Sequence, residues 1–130
     1  MTRILLPVLR PEDASPEFIA KVAPASSVVY ALLVLDSKSM HASFGFKTSE
    51  IMRGRDAVEK VKEEVRKHKR LCTDILEWGD TVEKIAQVAE MKQVEKICLH
   101  VPKGDAFFAN TVEEIRQRTS IPIELISSKK

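Results

Sequence analysis

The apolar and polar positions of this chain fall into alternating blocks of two kinds. Ile4 to Leu9 and Val28 to Leu35 are nearly unbroken apolar runs, the mark of strands covered on both faces. Thr73 to Trp78, Lys96 to Val101 and Ile121 to Ile126 are three further short strand segments, each bounded by turn or polar residues. Between them the apolar positions recur at helical spacing. Ser15 followed by Pro16 marks a helix start, with Phe18, Ile19 and Val22 on one face and Pro24 as its stop. Ala57 to Leu71 places Val58, Val61 and Val65 inward, with Glu63 one turn before Lys67 on the outside. Gly79-Asp80 leads into a helix with a buried stripe of Val82, Ile85, Ala86 and Ala89, and Asp80 and Glu83 have capping-box spacing. Asn110 to Arg118 is the last helix, capped by Asn110 or Thr111, with Val112 and Ile115 inward.

Five strands separated by helices predict an α/β fold built of right-handed βαβ units, an open five-stranded parallel sheet with helices on both faces. At 130 residues one domain is expected. One stretch resists the pattern. From Asp36 to Arg55 the periodicity dissolves into Ser, Lys, His and isolated aromatics, so a long irregular connection is expected at about 36–55. Phe44, Phe46, Ile51 and Met52 within it are candidates for a protein-docking surface, for a lid over the cleft where the strand order reverses, or for packing back onto their own domain.

Composition narrows the partners. Twenty-one basic and 19 acidic residues leave a net charge of +2, too balanced to argue for nucleic acid or an anionic membrane. The basic run Arg66 to Arg70 lacks interleaved aromatics and reads as a charged helix end. No apolar run approaches the roughly 18 residues of a membrane span, and no secretory pattern opens the chain; a cytoplasmic protein is expected. Cys72 and Cys98 are too few for a disulfide framework. His68 with Cys72, and Cys98 with His100, each make half a metal site, and neither is expected to bind metal. Nucleophile-elbow, zincin, Walker and dinucleotide motifs are all missing, so no catalytic residue and no cofactor is assigned. Asp36 and Glu77 read as cap or turn residues.

The order and wording of these segments resemble the universal stress protein family over nearly the whole chain. Ile4-Leu5-Leu6-Pro7-Val8 is similar to its first strand, with proline near the carboxyl end. Gly79-Asp80, Ile85-Ala86 and Val94-Glu95-Lys96-Ile97 resemble its third helix and fourth strand. Ala109-Asn110-Thr111-Val112 through Ser120-Ile121-Pro122-Ile123 resembles its last helix and strand. The resemblance implies a Rossmann-like sheet of order 3-2-1-4-5 and a homodimer through the last strand, where Ile123 and Leu125 stand at the edge. ATP-binding members carry Gly-x-x-Gly, nine residues, then Gly-Ser or Gly-Thr, bare amides that wrap phosphates. Here only Gly104 remains, with four residues separating it from Ala109-Asn110, and the acidic residue that follows the first strand in binding members is out of register, Asp13 coming late. The expected function is a regulatory or protective binding protein that does not bind ATP. A small-ligand binder for AMP or another anion is the alternative, and an enzyme on the same scaffold a third. For the anion reading the candidate pocket is Arg10, Lys103, Gly104, Asn110 and Thr111, two flexible cations beside a helix amino end; otherwise Arg10 and Lys103 simply point into water.

Overall fold

A computed structural model describes residues 2–36, 44–102 and 108–127. Its strands are β1 (Arg3–Pro7), β2 (Val28–Leu35), β3 (Leu71–Trp78), β4 (Lys96–His100) and β5 (Ile123–Ile126). They form one parallel sheet in the order β3-β2-β1-β4-β5. The helices are α1 (Pro16–Val22), α2 (Thr48–Lys67), α3 (Thr81–Lys92) and α4 (Phe108–Arg118). Alternate residues of the central strands feed two cores. Ile4, Leu6, Val29 and Leu33 join Phe18, Ile19, Val61 and Val65 under α1 and α2. Leu5, Leu32, Ile97 and Leu99 join Ile85, Ala89, Val112 and Ile115 under α3 and α4. That two-sided burial is why the first two strands are apolar without alternation.

Pro7 sits in a central strand without cost for a local reason. Val8 donates its N–H to the Leu32 carbonyl (2.8 Å) on the β2 side, so the neighbouring Pro7 nitrogen faces β4. The β1/β4 ladder pairs only Ile4 with Lys96 and Leu5 with Ile97. No hydrogen bond is lost there.

The expected helix and strand termini need three corrections. α2 starts at Thr48, not near Ala57, so the irregular connection ends well before residue 55. Gly54 explains the misreading: it lies buried where α2 crosses β2, and a Cβ there would stand 2.8 Å from Leu33 Cδ1 and 3.3 Å from Phe44 Cδ1. A glycine that looks like loop sequence is therefore a contact point. At the other end α2 stops at Lys67, and Lys69 turns the chain with φ 60° into β3, where Arg70 donates Nε to the Ser26 carbonyl (2.8 Å). His68 and Cys72 thus belong to different elements and share no helix face. α4 begins at Phe108, ahead of Asn110. Ser15 and Asp80 do cap their helices, accepting the N–H groups of Phe18 (3.3 Å) and Glu83 (2.8 Å).

Candidate functional site

The strand order reverses between β1 and β4, and in parallel sheets the crevice beyond the carboxyl ends at such a point is where ligands bind. After β1 the chain enters a short 3-10 turn, Pro11–Ala14, which folds the buried Asp13 back beneath it. Asp13 Oδ2 accepts the N–H groups of Leu9 (2.8 Å) and Arg10 (3.2 Å). Its Oδ1 accepts Arg10 Nη2 (2.8 Å) and lies 3.3 Å from His100 Nδ1. Arg10 Nη2 also donates to the His100 carbonyl (2.9 Å), which ends β4. The His100 ring stacks on Phe18 of α1, centroids 4.6 Å apart and 18° from parallel. Arg10 Cζ stands 5.9 Å from the Phe108 ring at the start of α4. One ion-paired cluster thus ties together the β1 loop, the end of β4 and the beginnings of α1 and α4.

Arg10 therefore lies in the crevice but is not a flexible cation: its side chain is only 16% exposed and its charge is met by Asp13. Asn110 is exposed in the first turn of α4, and Thr111 is buried on that helix's inner face. Lys103 and Gly104 lie outside the described residues. Sequence reasoning passed over Asp13 as too late and considered His100 only as a metal ligand. The visible signal was an acid three residues after Arg10 in a Pro-Glu-Asp turn.

A second buried carboxylate, Asp36 at the end of β2, accepts both the N–H (2.9 Å) and the hydroxyl (2.8 Å) of Thr81 through Oδ2. It anchors α3 as a cap, and Glu77 pairs with Lys84 (3.7 Å). Phe44 is fully buried in the α1/α2 core and offers no docking surface, whereas Phe46 is exposed and meets Trp78 edge-on at 5.2 Å. At the β5 edge Leu125 is exposed and Ile123 half-buried. A shallow groove between α3 and α4, lined by Glu83, Gln87, Glu90, Met91 and Arg118 among others, shares no residue with the crevice.

Neither thiol is poised for chemistry. Burial pushes Cys98 up to about 12 and Cys72 up to about 11, Lys96 and Lys62 pulling weakly the other way. Among the described residues no group of three or more His, Cys, Asp and Glu could hold a metal ion, and no helix is long and apolar enough to cross a membrane. With so little thiolate at pH 8, the folded chain is expected to react with a disulfide reagent at least about tenfold slower than the chain in guanidinium. Equal rates, followed by absorbance, would show the thiols to be open.

No family model and no curated protein matches the chain. Solved structures do. A universal stress protein from Archaeoglobus fulgidus superposes with a TM-score of 0.77 at 14% identity, covering 97% of this chain and 98% of its own. The universal stress protein from Archaeoglobus fulgidus in complex with dAMP gives 0.69 at 14% identity over the same shares. A universal stress protein family protein from Arabidopsis thaliana with AMP bound gives 0.60 at 12%, covering 99% of this chain and 93% of that one. Identities this low speak for the architecture alone, and it agrees with the strand order and the β1/β4 crevice: the chain has the fold of the universal stress proteins.

Proposed function

We propose that this chain is a regulatory or protective binding protein of the universal stress type, working in the cytoplasm, that takes an adenine nucleoside monophosphate in the β1/β4 crevice without hydrolysing it. The observation that carries the reading is the crevice itself, at the reversal of a sheet whose neighbours in fold include chains with dAMP and AMP bound. A monophosphate is favoured over a triphosphate by chemistry. The segment between β4 and α4 has one glycine, Gly104, where a triphosphate wrap needs several. Arg10, already balanced by Asp13, leaves little positive charge for three phosphates. The reading includes a homodimer through β5, whose exposed Leu125 lies at an open sheet edge.

Titration calorimetry with AMP, dAMP and ATP tests the ligand. AMP or dAMP is expected to bind at least about tenfold tighter than ATP, a difference of about 1.4 kcal/mol, with no AMP or ADP released from ATP over hours. ATP binding as tight as that of AMP or dAMP would overturn the monophosphate preference. Silence from all three nucleotides would overturn nucleotide binding altogether.

A further inference from the structure

Among the described residues the sheet has two open edges, and they are guarded unequally. β5 is short, follows Pro122 and carries Glu124 held by Lys96 of the neighbouring strand. β3 is eight residues long and runs one-to-one with β2 from Val28↔Leu71 to Leu35↔Trp78. It contains no proline, no lysine and no bulge, the devices by which edge strands avoid pairing with a second chain. Its apolar side chains stand in the open: Leu71 is 68% exposed, Leu76 44% and Trp78 52%. The acids on β3 are already met from within, Asp74 by Lys62 of α2 at 3.1 Å and Glu77 by Lys84 of α3 at 3.7 Å.

The charges flanking this strand choose its partner. Arg66, Lys69 and Arg70 precede β3, with Lys67 already met by Glu64 at 2.9 Å, while Asp80 and Glu83 lie beyond its end, where Lys84 is taken by Glu77. A copy laid parallel would set like charge on like. A copy laid antiparallel sets the basic start of each strand against the acidic end of the other, so the edge is complementary to itself. We propose that the outer edge of β3 pairs antiparallel with β3 of a second copy of this chain, about a two-fold axis normal to the sheet.

The register follows from the same residues. Such an axis keeps each face of the sheet on its own side, so it must pass between one residue and its own copy. An axis at Asp74 would oppose two carboxylates, which is unfavourable for directly facing residues. An axis at Ile75 sets Ile75 against itself and Arg70 opposite Asp80 of the other copy. The α2 helices of the two copies then flank the seam on one face. This contact is independent of the β5 edge and of any nucleotide, and copies using both edges would make a longer assembly.

Light scattering at tens of micromolar, where a standard-sized interface is populated, tests the pairing. Thr73→Lys with Leu76→Lys places cations along the β3 edge at two exposed positions, and Leu125→Lys does the same at β5. The wild type is expected to exceed the 14.7 kDa of one chain. The β3 double variant should lose half of that mass or more, while Leu125→Lys remains at least dimeric. A monomeric wild type, a double variant of unchanged mass, or a monomeric Leu125→Lys overturns the proposal. Should the double variant fail to fold by circular dichroism, hydrogen exchange of the wild type decides. Amides within Leu71–Trp78 should exchange at least about tenfold slower at tens of micromolar than after hundredfold dilution, and concentration-independent exchange there overturns it.

Discussion

Phe18→Ala is expected to lower the stability of the chain by about 4 kcal/mol, the usual cost of deleting a fully buried aromatic ring. Phe18 has no exposed surface, and it is the plate on which His100 stacks. Removing it leaves a void between α1 and the end of β4 and strips one side of the imidazole. In a domain of this size that corresponds to a fall of about 12 °C or more in Tm. Urea unfolding followed by circular dichroism and by the fluorescence of Trp78, the single tryptophan, would measure it. Phe18→Leu, which keeps most of the volume, should cost about 1.5 kcal/mol. A loss for the alanine variant no larger than that of the leucine variant would mean the ring is not part of the packed floor of the crevice.

Asp13→Ala should cost nearly as much, about 3 kcal/mol, for an electrostatic reason. It removes the carboxylate that serves two main-chain amides, a guanidinium and the neighbourhood of an imidazole at once, and an almost buried Arg10 then keeps its charge without that partner. The cost should depend on Arg10. In the background of Asp13→Ala, a further Arg10→Ala is expected to be nearly neutral, giving a coupling of about 2 kcal/mol between the two. Additive losses in that double-mutant cycle would show that the two side chains act separately and that the ion pair does not organise the loop.

The likeness between sequence and structure is uneven, and each part has a physical reason. β2 was legible from end to end because a strand buried on both faces must be apolar at every position, and Val28 to Leu35 is. α1 and α3 announced their starts through Ser15 and Asp80, whose caps are local. The first turns of α2 were not legible, since the residue that brings the helix against β2 is Gly54, which by propensity speaks against a helix. The turn into β3 was hidden for the opposite reason: its left-handed residue is Lys69, and no glycine or asparagine marks it. The reversal point of the sheet followed from family likeness, and Arg10 lies beside it. Its anchoring was out of reach, because the His100 carbonyl that holds it lies 90 residues along the chain. Asp13 could be judged late by counting along the sequence. Only the 3-10 turn at Pro11–Ala14 shows how lateness is undone, by folding the acid back under Leu9 and Arg10.

Pro7 gives the crevice a property of its own. The β1/β4 ladder stops at Leu5, and the next position whose nitrogen faces β4 is a proline, so the two strands cannot zip one step further whatever β4 offers. The opening between them is fixed in the main chain, not in the side chains around it. Substitutions at Arg10, Asp13 or His100 would leave the seam itself unlaced. A scaffold of this kind makes the gap between two strands a property of the chain's backbone, independent of the side chains that border it.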